Sequence, residues 1–267
     1  MLSRALLKKM LQVATRAAQE SGRIQRRYYG KIRHLRFKGE IDPVTEVDLK
    51  CEEAIVKTIK RAFPGHSFLT EEGSVVAKTS PVGSEFRWVI DPLDGTANYI
   101  HGYPLFCTSI GLEYRGELVL GAVYEPNMDQ MFFAAKGLGA YRNKKRIHVS
   151  PIDTLKKALL CTGFAYNVNQ VEKNNIRNFG NFIKAAQAVR RDGVAAMDLC
   201  YVAWGRYEGF WELELWPWDV AAGMVIIQEA GGRLSRFDGS AVTMQDKQIV
   251  ASNGLLHQDM VKILQHG

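Results

Sequence analysis

Asp91-Pro92-Leu93-Asp94-Gly95-Thr96-Ala97-Asn98 is the stretch around which the chain is organised. Phe86-Arg87-Trp88-Val89-Ile90 precedes it, apolar and β-favouring, and predicts a buried strand that ends at the first acid. Pro92 fixes φ between the two carboxylates, and Gly95 permits a tight turn. Thr96 adds a hydroxyl, and the main-chain N–H groups after Gly95 are placed to open a helix. A strand end bearing acids, a glycine turn and a helix start can hold a hard cation and a phosphate together. Asp-Gly is also a common turn pair, and both aspartates could simply cap the following helix. On these eight residues alone the two readings stay open.

The rest of the composition narrows the class. Of 267 residues, 46% are hydrophobic and 24% charged, enough for one large domain or two closely packed halves. Cys51, Cys107, Cys161 and Cys200 lie far apart, with no Cys-x-x-Cys spacing, which argues against a zinc site or disulfide framework. A reducing, cytoplasmic setting is expected. No apolar run approaches the roughly 20 residues that span a bilayer, so no membrane association is expected. Arg4, Lys8, Lys9 and Arg16 precede the first acid, Glu20, as in a transit peptide. Leu6, Leu7, Met10, Val13, Ala14, Ala17 and Ala18 nevertheless keep helical spacing, which favours a structural first helix. The formal charge of +7 is concentrated in Arg23 to Lys38. A solvated helix end explains this run; a nucleic-acid face is the alternative, though no binding signature accompanies it.

Along the chain, helix is expected from Arg4 to Tyr28, then a loop or short hairpin, then a second helix from Thr45, where Thr45 and Asp48 form a capping box. Ser67 to Thr70 reads as a short strand with Glu71-Glu72-Gly73 at its end. Phe106–Tyr114, Glu117–Tyr124 and Met131–Ala135 read as an antiparallel meander, followed by a hairpin around Asn143. Pro151 marks a seam between two subdomains, about 1–150 and 151–267. Beyond it come a strand from Leu159, helices over Glu172–Arg190 and Ala195–Trp204, a strand over Phe210–Leu215 and a helix over Val220–Ala230. Short strands at Arg233–Phe237 and Gln248–Ser252 and a helix over Leu255–Leu264 close the chain. Helices and antiparallel strands interleave in blocks, as in a layered α+β fold.

The acids carry the chemistry. Glu71 and Glu72 follow one strand and Asp91 follows another, so convergence at one sheet edge is expected. Asp219 stands behind Trp216, Pro217 and Trp218 at the start of an apolar helix, either as a helix N-terminal charge or as a cation ligand. Asp48 is either the acid of its capping box or an orienting partner for another hydroxyl. Carboxylates that meet need cations, and an oxygen-only set points to Mg²⁺, Mn²⁺ or Ca²⁺. Clustered magnesium ions typically handle phosphates. The six histidines are scattered and read as surface or loop residues, and the Trp204–Trp218 stretch as core and interface.

The sequence resembles the inositol monophosphatase family of magnesium-dependent, lithium-sensitive phosphatases. The resemblance lies in Glu71-Glu72-Gly73, in Trp88 to Asn98, and in Trp218-Asp219-Val220-Ala221-Ala222-Gly223 with Glu229-Ala230-Gly231-Gly232. Lys38-Gly39 with Asp42, Thr45 and Asp48 matches as well. It implies a layered αβαβα sandwich, of the type shared with fructose-1,6-bisphosphatase, and usually a homodimer. It also implies two to three Mg²⁺ ions. Asp91 would bridge two, Glu71 and the Leu93 carbonyl would complete the first, and Asp94 and Asp219 would hold the second. Thr96, oriented by Asp48, with Glu71 or Glu72, would position and activate the attacking water. The Gly95 and Thr96 N–H groups would hold the phosphate, and Lys38 would help close over the substrate. Glu212 matches the family's substrate-hydroxyl contact, and Gly193 and Ala195 belong to its substrate-side segment. Val194 replaces the usual serine or threonine, and Glu214 stands where relatives carry glycine or a basic residue. Inositol 1-phosphate is the expected substrate. The alternatives are fructose 1,6-bisphosphate, histidinol phosphate or adenosine 3′,5′-bisphosphate, or a nucleic-acid- or protein-binding regulator on the same fold.

Overall fold

The computed structural model describes residues 2–31, 35–37, 43–73, 83–166, 168–172 and 174–266, with backbone alone at 35–37, 43 and 44. Helix α1 (Arg4–Tyr28) is capped by Ser3, whose hydroxyl accepts from the Leu6 N–H at 3.2 Å. A small ladder, β1 (Leu35–Phe37) with β2 (Pro43–Thr45), leads into α2 (Glu46–Ala62). The Thr45 capping box forms as the sequence predicts: the Asp48 carboxylate accepts from the Thr45 N–H at 2.8 Å.

Seven strands form the first sheet in chain order: β3 (Ser67–Thr70), β4 (Phe86–Asp94), β5 (Cys107–Tyr114), β6 (Glu117–Glu125), β7 (Gln130–Ala135), β8 (Gly139–Arg142) and β9 (Lys145–Arg146). Only β3–β4 is parallel; the rest is the expected meander. The short helix α3 (Thr96–Ile100) lies between β4 and β5. The second sheet is mixed, in the order β11 (Ala188–Arg190), β10 (Leu159–Thr162), β12 (Gly209–Leu213), β14 (Gln248–Ser252), β13 (Arg233–Ser235). The remaining helices are α4 (Ile176–Ala185), α5 (Ala195–Ala203), α6 (Pro217–Glu229) and α7 (His257–Gln265).

Strand alternation assigns the layers. Trp88 and Ile90 of β4 pack with α1 and α2, whereas Val89 between them joins the core around α5 and α6. On β12, Phe210 faces that same central layer, while Trp211 packs outward with Phe182 of α4 and Met260 of α7. The order is therefore α1/α2, seven-stranded sheet, α5/α6, five-stranded sheet, α4/α7. This is the αβαβα sandwich implied by the resemblance.

The sequence reading differs from the structure in three places. The helix expected over Glu172–Arg190 ends at Ala185, and Ala188–Arg190 instead pairs parallel with β10. An alanine-rich run suits either state, and the open edge of β10 decides it. Helix α6 begins at Pro217, three residues earlier than expected, because proline is tolerated where no intrahelical N–H is needed. His66 and His257 are buried: His66 accepts from the Trp88 indole N–H at 3.0 Å, and His257 joins Ser252 and Ser235.

Gly111 and Gly121 form a cross-strand pair on β5 and β6, directly beneath α6. A Cβ on Gly121 would lie 2.2 Å from the Ala222 carbonyl oxygen, and one on Gly111 would lie 2.8 Å from the Ala221 Cβ. Two missing side chains thus let backbone approach backbone. Gly121→Ala is expected to lower unfolding stability by about 3 kcal/mol, because the obstruction is main chain rather than a movable side chain. Gly180→Ala, within α4 and facing open space, should instead raise stability by about 0.5–1 kcal/mol. Urea denaturation of both variants checks the opposite signs.

Candidate active site

Asp91 and Asp94 do not follow the strand; both lie within β4. Residues three apart on a regular strand point to opposite faces. Here Asp91 pairs with Ser109 and Asp94 with Cys107, so β4 holds one extra residue at the Pro92–Leu93 irregularity. That bulge lets both carboxylates enter the same cavity. Asp91 shares the parity of Val89 and so belongs to the face toward α5 and α6. The Glu71 N–H bonds the Ile90 carbonyl at 3.2 Å and extends the parallel ladder, which brings Glu71 beside Asp91.

Each acid is held by main-chain donors. Asp91 accepts from the Leu93 N–H at 2.9 Å, and Asp94 accepts at 2.8 Å from the Ala196 N–H at the start of α5. Asp219 accepts from the Trp216 N–H at 2.7 Å in the first turn of α6. The Ser109 hydroxyl donates to the Trp218 carbonyl at 3.2 Å, tying that turn to β5. Behind the acidic turn, Gln25 and Thr108 both donate to the Pro92 carbonyl, at 2.8 and 3.1 Å. Helix α1 therefore braces the bulge.

These elements enclose a cavity of 470 Å³. Its lining includes nine of the predicted site residues: Glu71, Asp91, Asp94, Gly95, Thr96, Gly193, Ala195, Glu212 and Asp219. Asp48 lies behind Thr96, and the Thr96 hydroxyl donates to Asp48 at 3.2 Å and to the Leu93 carbonyl at 2.9 Å. Asp48 thus fills both roles left open by the sequence. Leu93 is buried, and Glu72 stands near Asp48, its N–H donating to Glu52 at 2.9 Å. Neither Leu93 nor Glu72 lines the cavity. Lys38 falls outside the described residues.

Sequence reasoning missed several contributors. Arg191 lines the cavity, as do Trp216 and Trp218, which stack with centroids 5.5 Å apart at 5°. Trp216 is 53% exposed, so this part of the tryptophan-rich stretch is a cavity wall rather than core. Asn98 donates to the Leu105 and Asp192 carbonyls, at 3.0 and 2.9 Å, and joins the acidic turn to the 191–195 segment. Its place in the opening motif was the only available signal. Val194 does not line the cavity; it is buried under Gly95, whose φ of +89° and missing Cβ make room for it. Gly163 likewise leaves room for the Glu212 carboxylate, which would meet a Cβ there at 2.1 Å.

The electrostatics follow from like charges held out of water. Burial, then Glu71, Asp94 and Asp219, push Asp91 well above the usual carboxylate range. Burial and then Asp94 do the same to Asp219. Asp94 is raised to about 7, chiefly by burial, although the Ala196 N–H opposes this. Burial and Asp94 raise Glu212 to about 8, with Arg191 opposing. Asp48 rises to about 6 through burial. Six acids and one arginine are the charged residues described in the lining. An oxygen-only set of this kind suits a hard divalent cation. The closest group of three potential ligands among the described residues lies elsewhere: Cys161, Asp192 and Asp198, with donor atoms within 4.8 Å of one another.

Residues 6–266 match the inositol monophosphatase family. An inositol-1-monophosphatase of Synechocystis is 42% identical over 259 residues, covering 97% of this chain and 89% of that protein. A fructose-1,6-bisphosphatase/inositol-1-monophosphatase of Aquifex aeolicus is 40% identical over 259 residues, 96% of each chain. The solved inositol monophosphatase of Anabaena superposes with a TM-score of 0.88 at 39% identity, over 97% of this chain and 96% of that one. The chain belongs to the inositol monophosphatase family, and it is a phosphatase. No described helix is long and apolar enough to cross a membrane.

The raised carboxylates set a pH dependence for the cation-free protein. A folded pKa above the ordinary value means that the folded state holds protons the unfolded chain has released. The stability these groups contribute is therefore fully present below the ordinary carboxylate pKa of about 4 and is lost as pH rises through about 7 and 8, the values for Asp94 and Glu212. Melting in a chelator is expected to show Tm falling from pH 5 to pH 8. Asp94→Asn should reduce that fall, since an amide oxygen can still accept from Ala196 without the charge.

Proposed function

We propose that this phosphatase hydrolyses inositol 1-phosphate to inositol and phosphate in a Mg²⁺-dependent, Li⁺-sensitive reaction. The observation that carries the reading is the convergence of Glu71, Asp91, Asp94 and Asp219 on one cavity, where their burial and repulsion call for cations. Two to three Mg²⁺ ions would be held by these four carboxylates and the Leu93 carbonyl. When bound, magnesium neutralises the ester's charge and lowers the pKa of water. The chain's own groups orient the reaction. Thr96, held against Asp48, positions the attacking water, and Glu71 in the cavity, or Glu72 behind it, takes up its proton. The N–H groups of Gly95 and Thr96 receive the phosphate oxygens. Glu212, which shares the cavity with Gly193 and Ala195, contacts the polyol hydroxyls, and the resemblance assigns Lys38 to closing over them. Residues 1–267 act as one catalytic unit with subdomains of about 1–150 and 151–267, because the cavity draws on both halves. The resemblance supports a homodimer, and the four free cysteines support a cytoplasmic setting.

One observation favours a second ester. Glu214 lines the cavity in the left-handed region, at φ +62°, and adds a carboxylate beside the substrate end. A sugar bisphosphate that brings its own cation would suit it, in keeping with the name of the Aquifex relative. The Val194 exchange does not bear on this, since that side chain lies under Gly95.

Phosphate release should be measured on inositol 1-phosphate, fructose 1,6-bisphosphate, histidinol phosphate and adenosine 3′,5′-bisphosphate. Each is run with Mg²⁺, without it, and with Mg²⁺ plus Li⁺. Mg²⁺-dependent release that Li⁺ suppresses, fastest on inositol 1-phosphate, is expected; a hundredfold preference for another ester would reassign the substrate. Asp91→Asn should cost about 1,000-fold in kcat, equivalent to about 4 kcal/mol, with the fold intact by circular dichroism. Undiminished turnover would sink the ligand assignment.

A further inference from the structure

Asp198 is an anomaly the active site does not explain. It lies in the first turn of α5, is wholly buried, and neither carboxylate oxygen makes a well-formed hydrogen bond, the weak Cys161 thiol being the donor beside it. A helix N-terminus favours an acid there, but that effect is small beside the cost of burying an unpaired carboxylate.

Its neighbours are equally unusual. The Cys161 thiol, on the central face of β10, lies 3.9 Å from Asp192 Oδ2. Tyr207 donates its hydroxyl to the same Asp192 oxygen at 2.5 Å, fixing that carboxylate. Register explains the meeting: Cys161 pairs with Arg190 at the end of β11, so the chain turns back across the thiol at Asp192. Cys161, Asp192 and Asp198 place one donor atom each within 4.8 Å of one another. Burial and the neighbouring carboxylates hold both the thiol and Asp198 above their usual ranges.

We propose that Cys161, Asp192 and Asp198 form a second cation site, separate from the catalytic acids, for a thiophilic divalent ion of the zinc class. One sulfur and two carboxylate oxygens make a borderline-soft donor set, unlike the all-oxygen cavity, which selects harder ions. Three protein ligands leave a further position for water. Binding displaces the thiol proton and the proton that burial holds on Asp198, both of which leave to solvent, and gives Asp198 a stronger partner than the thiol. The Tyr207 hydroxyl acts as the outer partner that orients Asp192. Arg191 and Gly193 flank Asp192 and line the catalytic cavity, so occupancy would stiffen one wall of it.

Co²⁺ is the probe, added to the full chain with saturating Mg²⁺ so that the oxygen site is competed. A sulfur-to-cobalt charge-transfer band saturating at one equivalent, and displaced by Zn²⁺, is expected. Cys161→Ser should abolish it, and Asp198→Asn, which preserves volume, should weaken Co²⁺ affinity tenfold or more. Cys107 is the control, because its sulfur lies 4.0 Å from Asp94; Cys107→Ser should keep the band. Absence of the band from the unaltered protein, its survival in Cys161→Ser, or unchanged affinity in Asp198→Asn each overturns the proposal. If Cys161→Ser fails to fold, Asp198→Asn decides alone.

Discussion

The close approach of α6 to the glycine pair on β5 and β6 sets the rest of the molecule. It removes the layer of side chains that normally separates helix from sheet. Asp219, in the first turn of that helix, is thereby delivered to the acids of β4. The cost is electrostatic: four carboxylates meet in one cavity around the buried Asp91, and Glu71, Asp94 and Asp219 each raise the proton affinity of a neighbour. A fold does not retain such an arrangement for its stability. The same residues that make the apo protein uncomfortable make it a receptor for cations, and through them for phosphate.

The acidic turn is held from three directions. Gln25 and Thr108 donate to the Pro92 carbonyl from α1 and β5, Asp48 of α2 accepts from the Thr96 hydroxyl, and the Ala196 N–H of α5 donates to Asp94. Asn98 links the turn to the 191–195 segment of the other sheet. These supports are polar, buried or partly buried, and directional, so each acid has one position rather than several. A shift in any of the three helices would therefore be felt at the carboxylates before it was felt in the apolar core.

The legible parts of the site and the obscure ones differ in a physical way. Thr45 and Asp48 act over three residues, and Asp91 and Asp94 stand three residues apart at the end of β4, so local spacing reveals both. The bulge at Pro92–Leu93 was not visible, because it depends on pairing with Ser109 and Cys107. Arg191 and the stacked Trp216 and Trp218 are ordinary residues until tertiary packing brings them to the cavity wall. Cys161, Asp192 and Asp198 span 37 residues, from strand to loop to helix, and no ligand spacing betrays them. His66 and His257 look like surface residues because Trp88 and Ser235, which bury them, come from separate strands, even though Ser252 is a near neighbour of His257.

Sequence by itself determined the layered class, the long first helix with its Arg4–Tyr28 bounds, the capped second helix, the meander and the identity of the acids. These are properties of periodicity, capping and turn chemistry, all settled within a few neighbouring residues. Only the tertiary structure decided that Ala188–Arg190 is a strand, that Val194 lies beneath Gly95 and not in the cavity, and that Asp198 is buried beside no stronger donor than a thiol. Each of these depends on what approaches from elsewhere in the chain: an open strand edge, a missing Cβ, or a weak donor where a strong one is needed.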